Sequence, residues 1–345
     1  MHVCTLTKTG CLLFLALMIM PAVPLNAFGE HVEDWQLTSG YWSIQFENDY
    51  FTFSGDGHYT NGTEISRLVS NPGPAWLEGL GRWLPFFYLD EDQSAINYSV
   101  GQKIFTPEDL DQTALISDDR PYAGYLYLSA ELVSRISRSD SLDTGNVLEI
   151  TLGVVGPASG ASGVQEYFHK VFGSDEPMGW DNQLKNELGL LVSYSRIWNI
   201  IQPGPGVLEI GISPHLTGTL GNIYTHAAGG VMFRLGNNLR ASFTPPNIRP
   251  GFPGISYFNP SPRFNWYLFF GHESRIVFRD IFLDGNTFAD SHNVEKELLV
   301  GDHQFGLALH KNNFRIALSN MLRTKEFASQ DTLTQYGALN LSFTF

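Results

Sequence analysis

The sequence predicts an all-β protein: a closed antiparallel transmembrane β-barrel of about 12 strands, with a short helix in an extracellular loop. Three observations point there. The chain ends in strict alternation, with Leu339, Leu341, Phe343 and Phe345 on one face and Ala338, Asn340, Ser342 and Thr344 on the other. A strand apolar outside and polar inside suits the closing seam of a barrel, because in lipid every backbone N–H and C=O must pair within the protein. Beyond the first 27 residues no apolar run reaches the length of a membrane helix: 43% of residues are hydrophobic, yet mean hydropathy is only -0.09, because apolar and polar residues alternate. Finally, an aromatic share of 13% can supply girdles at two membrane interfaces.

Residues 1–27 read as a signal peptide and 28–345 as one outer-membrane barrel domain. Lys8 gives a positive start, Cys11–Met20 an apolar stretch too short to span a bilayer, and Leu25-Asn26-Ala27 a cleavage site after Pro21 and Pro24. Cys4 and Cys11 both lie in that segment. The mature chain is therefore expected to lack disulfides, thiol nucleophiles and cysteine-ligated metals. A net charge of -14 argues against nucleic acid as a partner. Beside phosphorylated lipid, such a surface needs divalent cations to bridge like charges.

Twelve segments have period-two character: 41–48, 59–69, 95–104, 123–135, 146–155, 188–198, 206–218, 224–235, 263–280, 297–310, 313–324 and 334–345. An even count fits a closed antiparallel barrel. In the first, Trp42, Ile44 and Phe46 oppose Ser43, Gln45 and Glu47; in the fourth, Leu126, Leu128, Ala130 and Leu132 oppose Tyr125, Tyr127, Ser129 and Glu131. A soluble secreted β-sandwich is the alternative, but it has no need of the aromatic terminal strand. With both termini in the periplasm, the exterior connections are 49–58, 105–122, 156–187, 219–223, 281–296 and 325–333. The connections 70–94 and 236–262 then fall on the periplasmic side, where barrels usually have short turns.

The first three exterior connections hold nearly all the unusual residues. Glu47-Asn48-Asp49-Tyr50 and Gly55-Asp56-Gly57-His58-Tyr59-Thr60-Asn61-Gly62 supply carboxylates, amides and a hydroxyl. These are hard oxygen donors suited to calcium, although Asp56-Gly57 also reads as a plain hairpin turn. Strand parity points Asp49 inward with Glu47 and leaves Asn48 outward. In the second connection Arg120 can hold a phosphate in bidentate fashion or brace Asp118 or Asp119. In the third, Ser162-Gly163-Val164-Gln165 has capping-box form, and Val164, Tyr167, Phe168, Val171 and Phe172 make an apolar stripe that Gly173 stops. The spacing predicts a helix lying against the rim along that stripe, with Gln165 and His169 stacked beside it. His169 is then a general-base candidate, since an unperturbed imidazole titrates near neutral pH; the alternative is a solvated histidine.

The ordered set Glu47-Asn48-Asp49, His58-Tyr59-Thr60-Asn61-Gly62, Asp119-Arg120-Pro121-Tyr122-Ala123-Gly124, Gly156-Pro157-Ala158-Ser159, Gln165 with His169, Gly179-Trp180-Asp181-Asn182-Gln183, Phe282-Leu283-Asp284-Gly285-Asn286-Thr287 and Arg323-Thr324-Lys325-Glu326-Phe327 resembles the lipid A deacylase family of the LpxR type. The resemblance runs from about residue 40 to the end. It implies a bacterial outer-membrane barrel, a carboxylic ester hydrolase that removes the 3′-O-linked acyloxyacyl chain of lipid A in the outer leaflet and requires calcium. The family's polar active-site residues fall on Asn48, Asp49, Thr60 and His169. Gln165, Arg120 and Tyr122 are the implied substrate contacts; Asp49 and Asp175 are the implied metal ligands, with Glu176 adjacent. The basic pair of the best-studied family pattern is absent from Pro107-Glu108-Asp109-Leu110.

These residues need no covalent intermediate, because His169 can deprotonate a water that attacks the ester. Two other classes stay open. A serine-type outer-membrane phospholipase has Ser159 and Ser162 available, neither in a recognisable nucleophile pattern. A passive porin-like barrel explains the architecture without needing the helix or the acidic connections.

Overall fold

The computed structural model describes residues 40–49, 58–69, 74–84, 87, 89, 94–139, 141–173, 176–253 and 257–345. The expected signal peptide, Tyr50, Asp56-Gly57 and Asp175 lie outside them. Twelve strands close into one antiparallel barrel: β1 (Tyr41–Asn48), β2 (His58–Val69), β3 (Ser94–Thr106), β4 (Ala123–Ser139), β5 (Leu142–Val155), β6 (Glu187–Pro203), β7 (Glu209–Gly221), β8 (Tyr224–Gly236), β9 (Ser261–Asp280), β10 (Leu299–Asn312), β11 (Phe314–Arg323) and β12 (Thr334–Thr344). Each pairs with its sequence neighbours, and β12 closes on β1 from Tyr41↔Thr344 to Asn48↔Gly337. No described helix is long and apolar enough to cross a membrane; the strands do the crossing.

Alternation places the faces as expected at the seam. Ser43, Gln45, Asn340 and Ser342 are buried and hydrogen-bond one another in the lumen, whereas Trp42, Phe343 and Phe345 are exposed on the outer wall. The expected strand 206–218 is displaced to Glu209–Gly221. The cause is the turn before it, where Gly206 takes a positive φ of 66° and Leu208 N–H donates to Pro205 O.

The two long periplasmic connections each have a use. In the first, α1 (Ala75–Trp83) lies along the outer wall, with Leu77 and Phe87 packed on Ile96, Leu132 and Leu148. Leu132 was expected to face outward with Leu126 and Leu128; it does, but α1 covers it and buries it. Trp76, Leu80 and Trp83 stay exposed on this helix, the pattern of an interfacial amphipathic helix. The second connection, between β8 and β9, turns back into the barrel. Phe243, Ile248, Phe252, Tyr257 and Phe258 are all buried, and the segment fills the lumen. Its base is pinned near the periplasmic end, where Arg234 donates to the carbonyls of Leu239 and Ser242, and its tip reaches Glu47 near the exterior end of β1.

Two further helices lie at the exterior end, α2 (Ala161–Phe172) and the short α3 (Ile281–Asp284). Phe282 of α3 drops into the barrel mouth and stacks on Phe105 at 4.1 Å.

Candidate active site on the outer wall

The site begins with two adjacent residues on opposite faces. Glu47 points into the lumen and is buried, while Asn48 is half-buried on the outer wall and donates from Nδ2 to Thr60 O at 2.8 Å. Asp49, which closes β1 in a helical turn, is 1% exposed. In strict alternation Thr60 shares a face with Gly62, toward the lumen. A β-bulge between Tyr59 and Asn61 breaks that count. Tyr59 stays with Phe105 in the luminal core, and Thr60 instead meets Thr106, their hydroxyls 2.8 Å apart. Bulges re-aim side chains in this way.

The outer face of β3 carries the helix. Lys103 and Phe105 face the lumen, so Ile104 between them faces out, where it packs with Tyr122, Ala161 and Trp180. Gln102, on the same face, donates from Nε2 to Ser159 O at 2.8 Å. A Cβ at Gly124 would lie 2.2 Å from Ala161 Cβ and Ser159 Oγ, so only glycine there lets the start of α2 seat this closely.

Helix α2 corrects two expectations. Gly160, with φ 70°, is its N-cap and no side chain caps it; Ser162 is already helical, so the capping box does not form. The left-handed glycine turns the chain straight from the 3-10 turn at Pro157–Ser159 into α2. Nor does most of the apolar stripe face the wall, although Val164 stays half-buried against the cluster of Ile104 and Trp180. Ala161, Gln165 and His169, spaced by four, are buried, whereas Tyr167, Phe168 and Val171 are exposed. The usual amphipathic rule assumes water outside; on a membrane barrel the surroundings are apolar, so the polar pair turns inward.

Gln165 accepts a hydrogen bond from the Trp180 indole at 2.8 Å, and Trp180 packs on Tyr122 with ring centroids 5.1 Å apart. Burial pushes the Tyr122 hydroxyl up to about 12, so it stays protonated. His169 lies one turn beyond Gln165 and is 8% exposed, not a solvated histidine. Arg120 takes its bracing role, but toward a different acid. It is 1% exposed, donates to Glu326 at 2.9 Å and to His58 O at 3.1 Å, and so is committed to the rim. Asp119 instead organises its own loop, accepting from the N–H groups of Glu108 and Arg120.

Ser159 is buried, and its hydroxyl donates to Gly156 O at 2.6 Å. Thr106 and the Gln165 partnership of Trp180 were not anticipated from sequence. Thr106 carries no signal, because its role depends on the bulge. Among the described residues, no group of three or more His, Cys, Asp or Glu could hold a metal. The donor chemistry at the end of β1 is compatible with calcium: Asp49 offers a buried carboxylate and the adjacent Asn48 an amide oxygen, both hard oxygen donors.

Among solved structures the chain is similar to LpxR from Salmonella typhimurium, with a TM-score of 0.70 at 19% identity over 88% of this chain and 100% of that one, a likeness of fold. The beta domain of the Bordetella autotransporter Brka gives a TM-score of only 0.45 at 10% identity, over 89% of this chain and 99% of that one. A search of curated protein sequences finds no match. The family described as "Outer membrane protein LpxR" matches residues 12–345. With a closed twelve-strand barrel and a match over nearly its whole length, the chain belongs to the LpxR family of outer membrane proteins.

Proposed function

We propose that this protein is a lipid A 3′-O-deacylase, a calcium-dependent ester hydrolase that uses His169 as general base. The observation that carries the reading is where the polar residues gather. Asn48, Thr60 and Thr106 meet on the outer wall of β1–β3, and Gln165 and His169 are the buried face of the helix packed against that wall. Polar groups on the lipid side of a barrel are costly even when paired with one another, and so mark a functional site. A lipid ester from the outer leaflet reaches this wall without entering the lumen.

His169 takes a proton from a water whose oxygen forms a bond to the ester carbonyl carbon. As the carbon–oxygen ester bond breaks, the imidazolium returns the proton to the leaving sugar oxygen, releasing a free acid and a 3′-hydroxyl. Gln165, fixed by Trp180, and Asn48, fixed on Thr60 O, hold their amides in set orientations beside this chemistry. Calcium held through Asp49, with Asp175 as the implied second ligand, would supply charge stabilisation for the ester carbonyl oxygen.

The plugged lumen counts against the passive porin, and the buried Ser159 hydroxyl, spent on Gly156 O, counts against a serine nucleophile. Mass spectrometry of lipid A from cells with and without the protein tests the reading. Loss of the mass of one acyloxyacyl group is expected, and unchanged lipid A contradicts it.

A further inference from the structure

The tip of the luminal segment touches strands all round the barrel through three consecutive residues. Ile248 N–H donates to Glu47 Oε1 on β1 at 3.1 Å. Arg249 O accepts from Lys103 on β3, and the Arg249 guanidinium meets Glu149 on β5 at 3.3 Å and Ser195 on β6 at 3.2 Å. Pro250 O accepts from Arg323, the last residue of β11, at 3.1 Å. All of these anchors line the lumen and are at least half-buried.

Two of the anchors back the candidate site. Glu47, Gly62 and Lys103 form one rung across β1, β2 and β3, and the next rung is Asn48, Asn61 and Ile104. The first rung faces the lumen and grips the tip. The second faces outward and forms the wall under α2. Glu47 is held further by the Tyr59 hydroxyl at 2.8 Å and by Gln45 Nε2 at 2.8 Å. Gly62 makes room for this: a Cβ there would lie 2.0 Å from the Tyr59 hydroxyl. A closely packed wall with two discrete faces transmits a displacement from one face to the other.

We propose that residues 248–250, carried up the lumen by the β8–β9 connection, are a positioning buttress that sets the exterior ends of β1 and β3 through Glu47 and Lys103. Neither residue touches substrate. Both act through their strands, from whose other face Asn48 projects on β1, and Ile104 and Thr106 on β3. The activity readout rests on the deacylase reading; the second readout does not.

The test compares wild type with Glu47→Gln, Lys103→Met and Lys103→Arg, each purified as a folded, heat-modifiable barrel. On micellar lipid A, kcat is expected to fall about tenfold or more in Glu47→Gln and Lys103→Met with KM within about twofold, since sub-ångström misplacement costs rate more than binding. Lys103→Arg keeps a donor for Arg249 O and should recover most of the rate. Hydrogen–deuterium exchange, which needs no activity, should quicken at residues 46–49, 58–62 and 104–106 in the first two variants and stay unchanged in β7 and β8. An inactive wild type overturns the deacylase reading alone, and exchange then decides the buttress. Wild-type-like exchange at all three segments in both variants overturns the buttress, whatever the wild type does to lipid A.

Discussion

The carboxamide oxygen of Gln165 accepts a hydrogen bond from the indole N–H of Trp180 at 2.8 Å, and both side chains are buried, at 3% and 7% exposure. The contact ties the middle of α2 to the loop that follows it, and so fixes the face that also carries His169. Trp180→Phe keeps most of the packing on Tyr122 but strands a buried acceptor, at a cost of about 1–3 kcal/mol. Deacylation should fall while the barrel still shows its heat-modifiable mobility. A Trp180→Phe enzyme with full activity would detach Gln165 from the site.

Gly124 tests the seating of the helix from the other side. Gly124→Val places carbon atoms where Ala161 Cβ and Ser159 Oγ now lie, 2.2 Å from an added Cβ. Overpacking of this kind costs about 1–3 kcal/mol, and the start of α2 should lift from the wall. Limited proteolysis should cut the segment 156–173 faster, and activity should drop in parallel. Equal protease resistance with equal activity would show that the helix does not depend on this contact.

The rim has an acid limit that can be assigned. Burial opposes ionisation of Glu326, but the guanidinium groups of Arg120 and Arg323 outweigh it and hold the carboxyl below its ordinary 4.5. A depressed carboxylate stabilises the folded state above its unfolded value and loses that contribution as pH falls through the lower folded value. Exchange protection of residues 118–122 and 325–330 should therefore be flat from pH 7 to about 5 and fall below about pH 4.5. In Glu326→Gln, protection should be weaker at neutral pH and lose this acid step. An acid step that survives in Glu326→Gln would assign it to another group.

Activity should require a hard divalent cation, because the carboxylate of Asp49 is a hard oxygen donor. Chelation should abolish turnover and added calcium restore it, while Asp49→Ala should stay inactive at ordinary calcium. Undiminished turnover after exhaustive chelation would remove calcium from the proposal.

Much of this architecture was legible in the sequence because a barrel strand advertises itself by alternation. β12 and β1 could be read residue by residue, down to Ser43 and Asn340 in the lumen and Trp42 and Phe343 outside. Three features were hidden for distinct physical reasons. The sequence singles out Thr60 but not its partner Thr106, since a bulge changes parity without any mark in composition. The spacing marks the helix but not which face packs on the wall, because an apolar stripe means "inward" only when water lies outside. The connection 236–262, with Pro245, Pro246, Pro250 and Pro253, has no period at all. Its destination is set by Glu47, Lys103, Glu149 and Arg323 on distant strands, which no local pattern reveals.

The most direct test of the account is the turnover of lipid A by purified His169→Ala beside Ser159→Ala and Ser162→Ala. His169→Ala should fold as wild type, since the residue lies on α2 outside the β ladder, and should lose about 10²–10⁴-fold in rate. His169→Gln should not recover it, because an amide cannot take a proton from water at neutral pH. Both serine variants should retain most activity. A His169→Ala enzyme that turns over lipid A at the wild-type rate, beside a dead Ser159→Ala or Ser162→Ala, would contradict the account and put a serine nucleophile in its place.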